Sequence, residues 1–405
     1  MKSNRRNLVI LFYTMVVIML GFGMVIPILP FYIKSFGASG SALGALMATY
    51  AVMQFLFSPV WGGLSDRYGR KPVLMAGILG NALAQLVFGF STQLWMLFIA
   101  RTLAGVLSSA TLPTAMAYIG DSTSERDRGG GMGMMGAAMG VGMLLGPGIA
   151  GFLASRWLAL PFFLAAALSF LSLILVHFYL PESLPASERK TSGAKIQGPD
   201  LKGMGRELFG PIGVLLVMAF LVSFGMTNFE GVFGLYALER YGYGPQEVGY
   251  LLTFIGVVSA AVQGGLTGRL TRRFGEALVI KAFLLISGVG FILMTLPDNT
   301  PGLILAVGFF MFGNAMLRPT VSSLTSRRAA IGQGAAMGLN NAFMSLGRVV
   351  GPLWAGLLFD VNLNLPYLSG AALMFIGLLI AVFRLEADQA AEDGVHPAAQ
   401  PESPD

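Results

Sequence analysis

The sequence predicts an all-α membrane protein, with twelve transmembrane helices in two related six-helix bundles. Three observations lead there. The 405-residue chain is 55% hydrophobic and only 11% charged, whereas a soluble domain carries about 25% charged residues. About twelve stretches reach the roughly 20 apolar residues that a membrane-crossing helix needs. And the second half of the chain repeats the pattern of the first.

The spans fall at about 8–33, 42–64, 73–93, 95–118, 132–154, 158–180, 209–238, 246–267, 278–297, 302–324, 335–359 and 365–384. The repeat is visible in Gly62-Gly-Leu-Ser-Asp-Arg-Tyr-Gly69, which is similar to Gly268-Arg-Leu-Thr-Arg-Arg-Phe-Gly275 at an offset of 206. Pro113 and Pro319 keep that offset. Gly133, Gly142, Gly146, Pro147, Ala150 and Gly151 match Gly338, Gly347, Gly351, Pro352, Ala355 and Gly356 at an offset of 205. Six spans return the chain to its starting side, so the copies have one orientation. Such parallel repeats are a transporter architecture with substrate held between the halves. The expected organisation is a first bundle over 1–180, a linker over 181–208, a second bundle over 209–385 and a tail over 386–405. The linker is rich in charge, Pro, Ser and Gly and reads as flexible. The tail is acidic and Ala- and Pro-rich and reads as disordered.

The net charge of +6 marks topology, not nucleic-acid binding. Basic residues crowd alternate loops: Lys2, Arg5 and Arg6 before the first span, Arg67, Arg70 and Lys71 after the second, and Arg126 and Arg128 after the fourth. The linker adds Arg189, Lys190, Lys195, Lys202 and Arg206, and the second half repeats the pattern at Arg269, Arg272, Arg273, Arg327 and Arg328. The opposite loops hold only Lys34, Arg156 and Arg240. By the positive-inside rule both termini are cytoplasmic, in a bacterial plasma membrane. With no Cys and two separate histidines, His177 and His396, no disulfide, Cys-based metal site or redox cofactor is expected. Gly129-Gly-Gly-Met-Gly133 lacks the Gly-Lys-Ser/Thr of a phosphate loop. No catalytic constellation is visible, so the chain reads as a non-enzyme driven by an ion gradient, without cofactor or metal. Its expected partners are a small-molecule substrate, protons and membrane lipids, and it is expected to be a monomer.

These features resemble the major facilitator superfamily over nearly the whole chain. Gly62-x-Leu-x-Asp66-Arg67-x-Gly69-Arg70-Lys71 is similar to the family's signature loop after the second helix. The resemblance implies that Asp66 locks one conformation against a helix start in the other half, with the Arg residues and Asp121 completing a charge cluster. Gly133-x8-Gly142-x3-Gly146-Pro147-x2-Ala150-Gly151 looks like the antiporter signature of the drug/proton exporter branch, whose usual second-last Gly is here Ala150. The run from Gly21 to Pro30 resembles the family's first-helix motif. Ser223 to Glu230, Gly313 to Pro319 and Gly338 to Pro352 are similar to multidrug exporters of the NorA and Bmr type. That type carries a seventh-helix Glu, matched by Glu230, and an acid on the tenth helix where this chain has Ala315.

Four ionisable side chains lie well within the spans: Arg101, Glu230, Arg318 and Arg348. Each costs several kcal/mol to hold there without a partner or water, which makes each a functional candidate. Burial disfavours a charged carboxyl and a nearby guanidinium favours it, so a carboxyl subject to both can exchange a proton. Proton coupling is therefore assigned to Glu230 with Arg101 or Arg318. Depth favours Arg101. Glu230 is ~12 Å from the outer end of its helix, Arg101 ~9 Å and Arg318 ~24 Å at 1.5 Å per residue. Asn314, Arg318 and Ser322 share one face of the tenth helix and should face a cavity. Tyr50, Gln54, Asn340, Asn341, Phe343 and Arg348 are further candidates for its wall. The expected function is proton-coupled export of hydrophobic or cationic drugs. Export of a specific metabolite, such as a sugar, amino acid or lipid precursor, is the alternative on the same fold. A non-transporting receptor or scaffold is the remote one.

Overall fold

The computed structural model describes residues 2–189, 201–329 and 332–393. Twelve of its helices are long and apolar enough to cross a membrane: α1 (Arg6–Ser35), α2 (Gly40–Tyr68), α3 (Arg70–Gly89), α4 (Leu94–Ser122), α5 (Asp127–Ala154), α6 (Leu160–Tyr179), α7 (Gly213–Tyr241), α8 (Pro245–Gly265), α9 (Glu276–Leu293), α10 (Thr300–Arg327), α11 (Gln333–Val361) and α12 (Leu365–Leu385). In hydrocarbon every backbone polar group must be bonded within its own segment, and the helix does that. The path of α4 is interrupted by a 3₁₀ turn over Ser108–Ala110. Pro113 lacks the N–H that the Ser109 carbonyl would otherwise accept, and a tighter turn relieves the misfit.

The two halves pack alike. α5 lies along α1, α3 along α6 and α3 along α4; in the second half α11 lies along α7, α9 along α12 and α9 along α10. Small residues set the closest approaches. A Cβ on Gly142 or Gly146 would press into the α1 backbone at Val16 and Leu20, and one on Gly347 or Gly351 into the α7 backbone at Phe220 and Phe224. The glycines at the repeated positions thus perform the same packing twice, as small residues do between membrane helices.

The halves touch along two seams, α2 against α11 and α5 against α8. Both seams lie on the face opposite the chain ends. A Cβ on Gly44 would overlap the Pro352 carbonyl, and one on Gly356 the Gly40 carbonyl. A Cβ on Gly151 would lie 2.5 Å from the Pro245 carbonyl. On the face bearing the chain ends the halves stand apart. A Cβ on Gly62, Gly133, Gly264 or Gly338 would meet nothing within 4 Å. The result is a cleft, closed at the far face and open at the near one.

The stretch read as linker departs from that reading at its start. Tyr118 donates to the Pro181 carbonyl at 2.8 Å, and Glu182 accepts backbone N–H bonds from Arg70 (2.8 Å) and Lys71 (3.2 Å). A short helix, Leu201–Leu208, precedes α7; residues 190–200 lie outside the described residues. At the other end the last helix continues to Asp393, into the stretch read as tail, and 394–405 lie outside the described residues.

Candidate functional site

At the near face the signature loop folds around Gly69. Its φ of 105° is disfavoured for any residue with a Cβ, and a Cβ there would collide with the Glu182 carboxylate. The turn delivers Arg70 to two acids of its own half: Nη1 donates to Asp66 at 2.5 Å and Nε to Asp121 at 2.8 Å. Lys71 Nζ donates to the His177 carbonyl at 2.7 Å. Glu182 caps the first turn of α3, where orphan N–H groups and the helix dipole favour a carboxylate. The sequence reading missed Glu182 because it sits in a polar connector; its place directly after Pro181 was the available signal. Glu182→Ala should cost about 0.5–2 kcal/mol, as other N-cap deletions do, and be read as a lower melting temperature.

The second half repeats this site with reversed signs. Asp66, Arg70 and Asp121 correspond, at the offset of 206, to Arg272, Glu276 and Arg327. Glu276 accepts from Arg327 at 2.8 Å, just as Asp121 accepts from Arg70. The position demands opposite charges on the third and fourth helices of a half and is indifferent to which helix carries which. Arg70→Glu alone should therefore lower the melting temperature by several degrees. Combined with Asp66→Arg and Asp121→Arg, it should recover most of the loss. Full additivity of the three losses would contradict this coupling.

The antiporter-like motif divides by contact. Gly142, Gly146 and Pro147 pack on α1, Gly151 forms the α5–α8 seam, and Gly133 faces the open side of the cleft.

Mid-membrane, the cleft brings together three charges from one half. Glu230 on α7 is half-buried, Arg318 on α10 is exposed and Arg348 on α11 is half-buried. The charges acting on Glu230 are Arg318 first and then Arg348; Arg101 is not among them. This corrects the depth ranking that favoured Arg101. Depth compares heights along separate helices and ignores which bundle a side chain turns into. Arg101 turns into its own bundle, 3% exposed, with its guanidinium carbon 5.5 Å from the Tyr50 ring and 5.8 Å from the Phe88 ring. Arg348 donates to Ser345 at 2.7 Å. Tyr50, which accepts from Gln54 at 3.1 Å, lies within electrostatic reach of both Arg101 and Arg348.

The expected cavity wall is corrected in part. Asn314 (4% exposed), Asn340 (1%) and Phe343 (7%) are buried inside the second bundle. Asn340 Nδ2 donates to Ser322 on α10 at 3.1 Å, a polar bond between helices, whereas Asn314 Nδ2 is buried without a partner among the described residues. A shared helical face proved too coarse: Arg318 reaches the cleft by its length, whereas the shorter Asn314 stays in the core. Asn341 is exposed.

A bundle of twelve spans in two repeated halves, split by a cleft with charges at its centre, defines a membrane transporter. The family model for the Major Facilitator Superfamily matches residues 11–334 and, separately, 215–404. The chain belongs to that superfamily and is a multi-pass membrane protein. It is 34% identical over 384 residues to multidrug resistance protein 1 of Bacillus subtilis (strain 168), covering 94% of this chain and 97% of the relative. It is 31% identical to multidrug resistance protein 2 of the same strain, covering 96% and 98%. Its identity to the quinolone resistance protein NorA of Staphylococcus aureus (strain COL) is 30%, covering 93% and 96%. Among solved structures, the nucleoside transporter NupG aligns with a TM-score of 0.76 at 14% identity, covering 95% of this chain and 99% of the other. A bacterial homolog of the human lysosomal transporter Spinster aligns with a TM-score of 0.73 at 16% identity, covering 94% and 95%. These two likenesses concern the fold.

Proposed function

We propose that the protein is a proton-coupled antiporter that exports hydrophobic or cationic compounds by alternating access, with both termini cytoplasmic. The observation that carries this reading is Glu230. Within the spans, it is the one acid placed away from a helix end, and it faces the cleft beside Arg318 and Arg348. The names of the full-length relatives, multidrug and quinolone resistance proteins, support the substrate class. With the termini cytoplasmic, the open face of the cleft admits substrate from the cytoplasm. A cationic substrate arriving at Glu230 favours its carboxylate and drives the proton off to the cytoplasm. With the cleft turned outward, a new proton displaces the substrate. The neutral carboxyl, easier to bury, allows the return. Because substrate and proton share one carboxylate, each state is selected by its ligand, a population shift rather than a mechanical linkage. The loop at Asp66, Arg67, Arg70 and Lys71, with Asp121, acts at the near face as the lock of the opposite state.

The test is efflux of ethidium in everted vesicles with a proton gradient imposed and then collapsed by an uncoupler. Transport should depend on the gradient. Gradient-independent transport would refute the coupling. The second reading, export of a specific metabolite, is favoured by the surplus of cations at the site, two guanidiniums against one carboxylate. Competition of dye against sugars and amino acids on the purified protein separates the two.

A further inference from the structure

Arg101 is left over by this mechanism, and its surroundings have a chemistry of their own. Its side chain projects from α4 into a cavity of about 80 Å³ enclosed by α1 to α4. No carboxylate among the described residues pairs with it, and its Nε has no hydrogen-bond partner. In the same cavity, Gln85 Oε1, Ser108 Oγ and Thr111 Oγ1 are buried and without a partner among the described residues. The remaining functions nearby are spent elsewhere: Gln85 Nε2 donates to the Gly21 carbonyl at 3.2 Å and Asn81 Nδ2 to Ser169 at 2.9 Å.

A guanidinium at this depth is costly unless neutralised, by several kcal/mol. The faces of Tyr50 and Phe88 return only about 0.5–2 kcal/mol each, so they do not balance it. What is missing is negative charge. The lining offers one cation, two hydroxyls free to donate and one amide oxygen, that of Gln85, which the guanidinium or a hydroxyl can satisfy, and no acid. That set suits an acceptor of single charge, bound by charge-assisted hydrogen bonds. The cavity has room for several waters, enough for a halide or for a carboxylate group. Tyr50 and Gln54, both half-buried, also line the cavity and give it a way to the cleft.

We propose that the first half carries a binding site for a small monovalent anion at Arg101, completed by Ser108 and Thr111 and entered past Tyr50. The site goes beyond the export reading and stands without it. The occupant is either a free halide or a carboxylate carried on a substrate, and the same experiment tells them apart.

Purified protein in nanodiscs is melted at constant ionic strength while sodium chloride, or sodium acetate, replaces the sodium salt of a bulky sulfonate buffer, whose anion carries neither halide nor carboxylate. A saturable rise in melting temperature of several degrees is expected. It should vanish in Arg101→Gln. It should need at least about tenfold more anion in Ser108→Ala/Thr111→Val, which keeps the cation and serves if Arg101→Gln fails to fold. A rise with chloride alone supports the site as a halide site, and a rise with acetate alone supports it as the seat of a substrate carboxylate. Identical melting curves in all three salts would overturn the proposal and leave water as the partner of these groups. A rise that persists undiminished in Arg101→Gln would overturn it as well.

Discussion

Glu230→Gln is expected to abolish gradient-driven efflux while leaving dye binding measurable. Glutamine keeps the shape of the side chain and both of its polar ends, so the packing of α7 is undisturbed. What it loses is the exchangeable proton and the negative charge. Without the proton the carrier has nothing to trade for substrate, and the uphill rate should fall to the level of empty vesicles. Without the charge, a cationic dye loses one favourable contact. A tenfold loss of affinity corresponds to about 1.4 kcal/mol, near the net worth of one hydrogen bond to a charged group. Affinity should therefore weaken by about tenfold, not disappear. Downhill exchange of labelled for unlabelled dye should survive, because it needs alternating access but no proton. Full gradient-driven efflux in the variant would eliminate Glu230 as the coupling group. Ala315 makes this a sharp test, since the chain has no acid at the position where the NorA type carries a second one.

The fold was legible because a bilayer imposes simple rules. Span length follows from the thickness and low polarity of the hydrocarbon, the charge bias between spans from the positive-inside rule, and the repeat from the matching offsets; each is written in consecutive residues. The site was legible only in its membership. Glu230, Arg318 and Arg348 stood out because charge inside the membrane is rare. Their pairing was hidden, because it depends on which way a side chain turns from its helix. Arg101 and Asn314 illustrate this: both lie at suitable heights, yet both turn inward. Hidden too were contacts made by residues at the ends of helices, where polarity is unremarkable. Glu182 is one such residue. Asp360, near the end of α11, is another, and it accepts from the Gly40 N–H at 2.6 Å and from the Ser41 N–H at 2.9 Å. It caps α2 across the seam between the halves. Among the described residues the mirror seam has no such tie, and the start of α8 is capped from within by Glu247, which accepts from the Gly244 N–H at 2.9 Å.

That asymmetry makes Asp360 the point at which the far face should be easiest to open. Hydrogen bonds to a charged acceptor contribute about 1.5–3 kcal/mol, and a carboxylate at a helix N-terminus adds about 0.3–1 kcal/mol through the dipole. The exposed pair of Lys34 and Glu239 nearby, at 2.9 Å, adds little, as surface ion pairs do. Asp360→Asn keeps an acceptor and removes the charge, so the seam should loosen by one to two kcal/mol, which is about tenfold in open population. Gly44→Ala should act in the same direction by a different cause, since its methyl group would overlap the Pro352 carbonyl and force α2 from α11. The chain has no native Cys, so single cysteines report cleanly. Leu43, next to Gly44 in α2, is fully buried, and labelling of Leu43→Cys by a water-soluble thiol reagent should accelerate about tenfold in either background. Gly338→Cys stands where a Cβ meets only open space, and its labelling should slow in the same backgrounds, because two rigid halves that part at the far face must meet at the near one. If Leu43→Cys becomes reactive while Gly338→Cys stays as reactive as before, the halves do not rock as units, and alternating access in this protein must proceed by local opening of α2 and α11. If neither changes, Asp360 is a cap for α2 and has no part in gating.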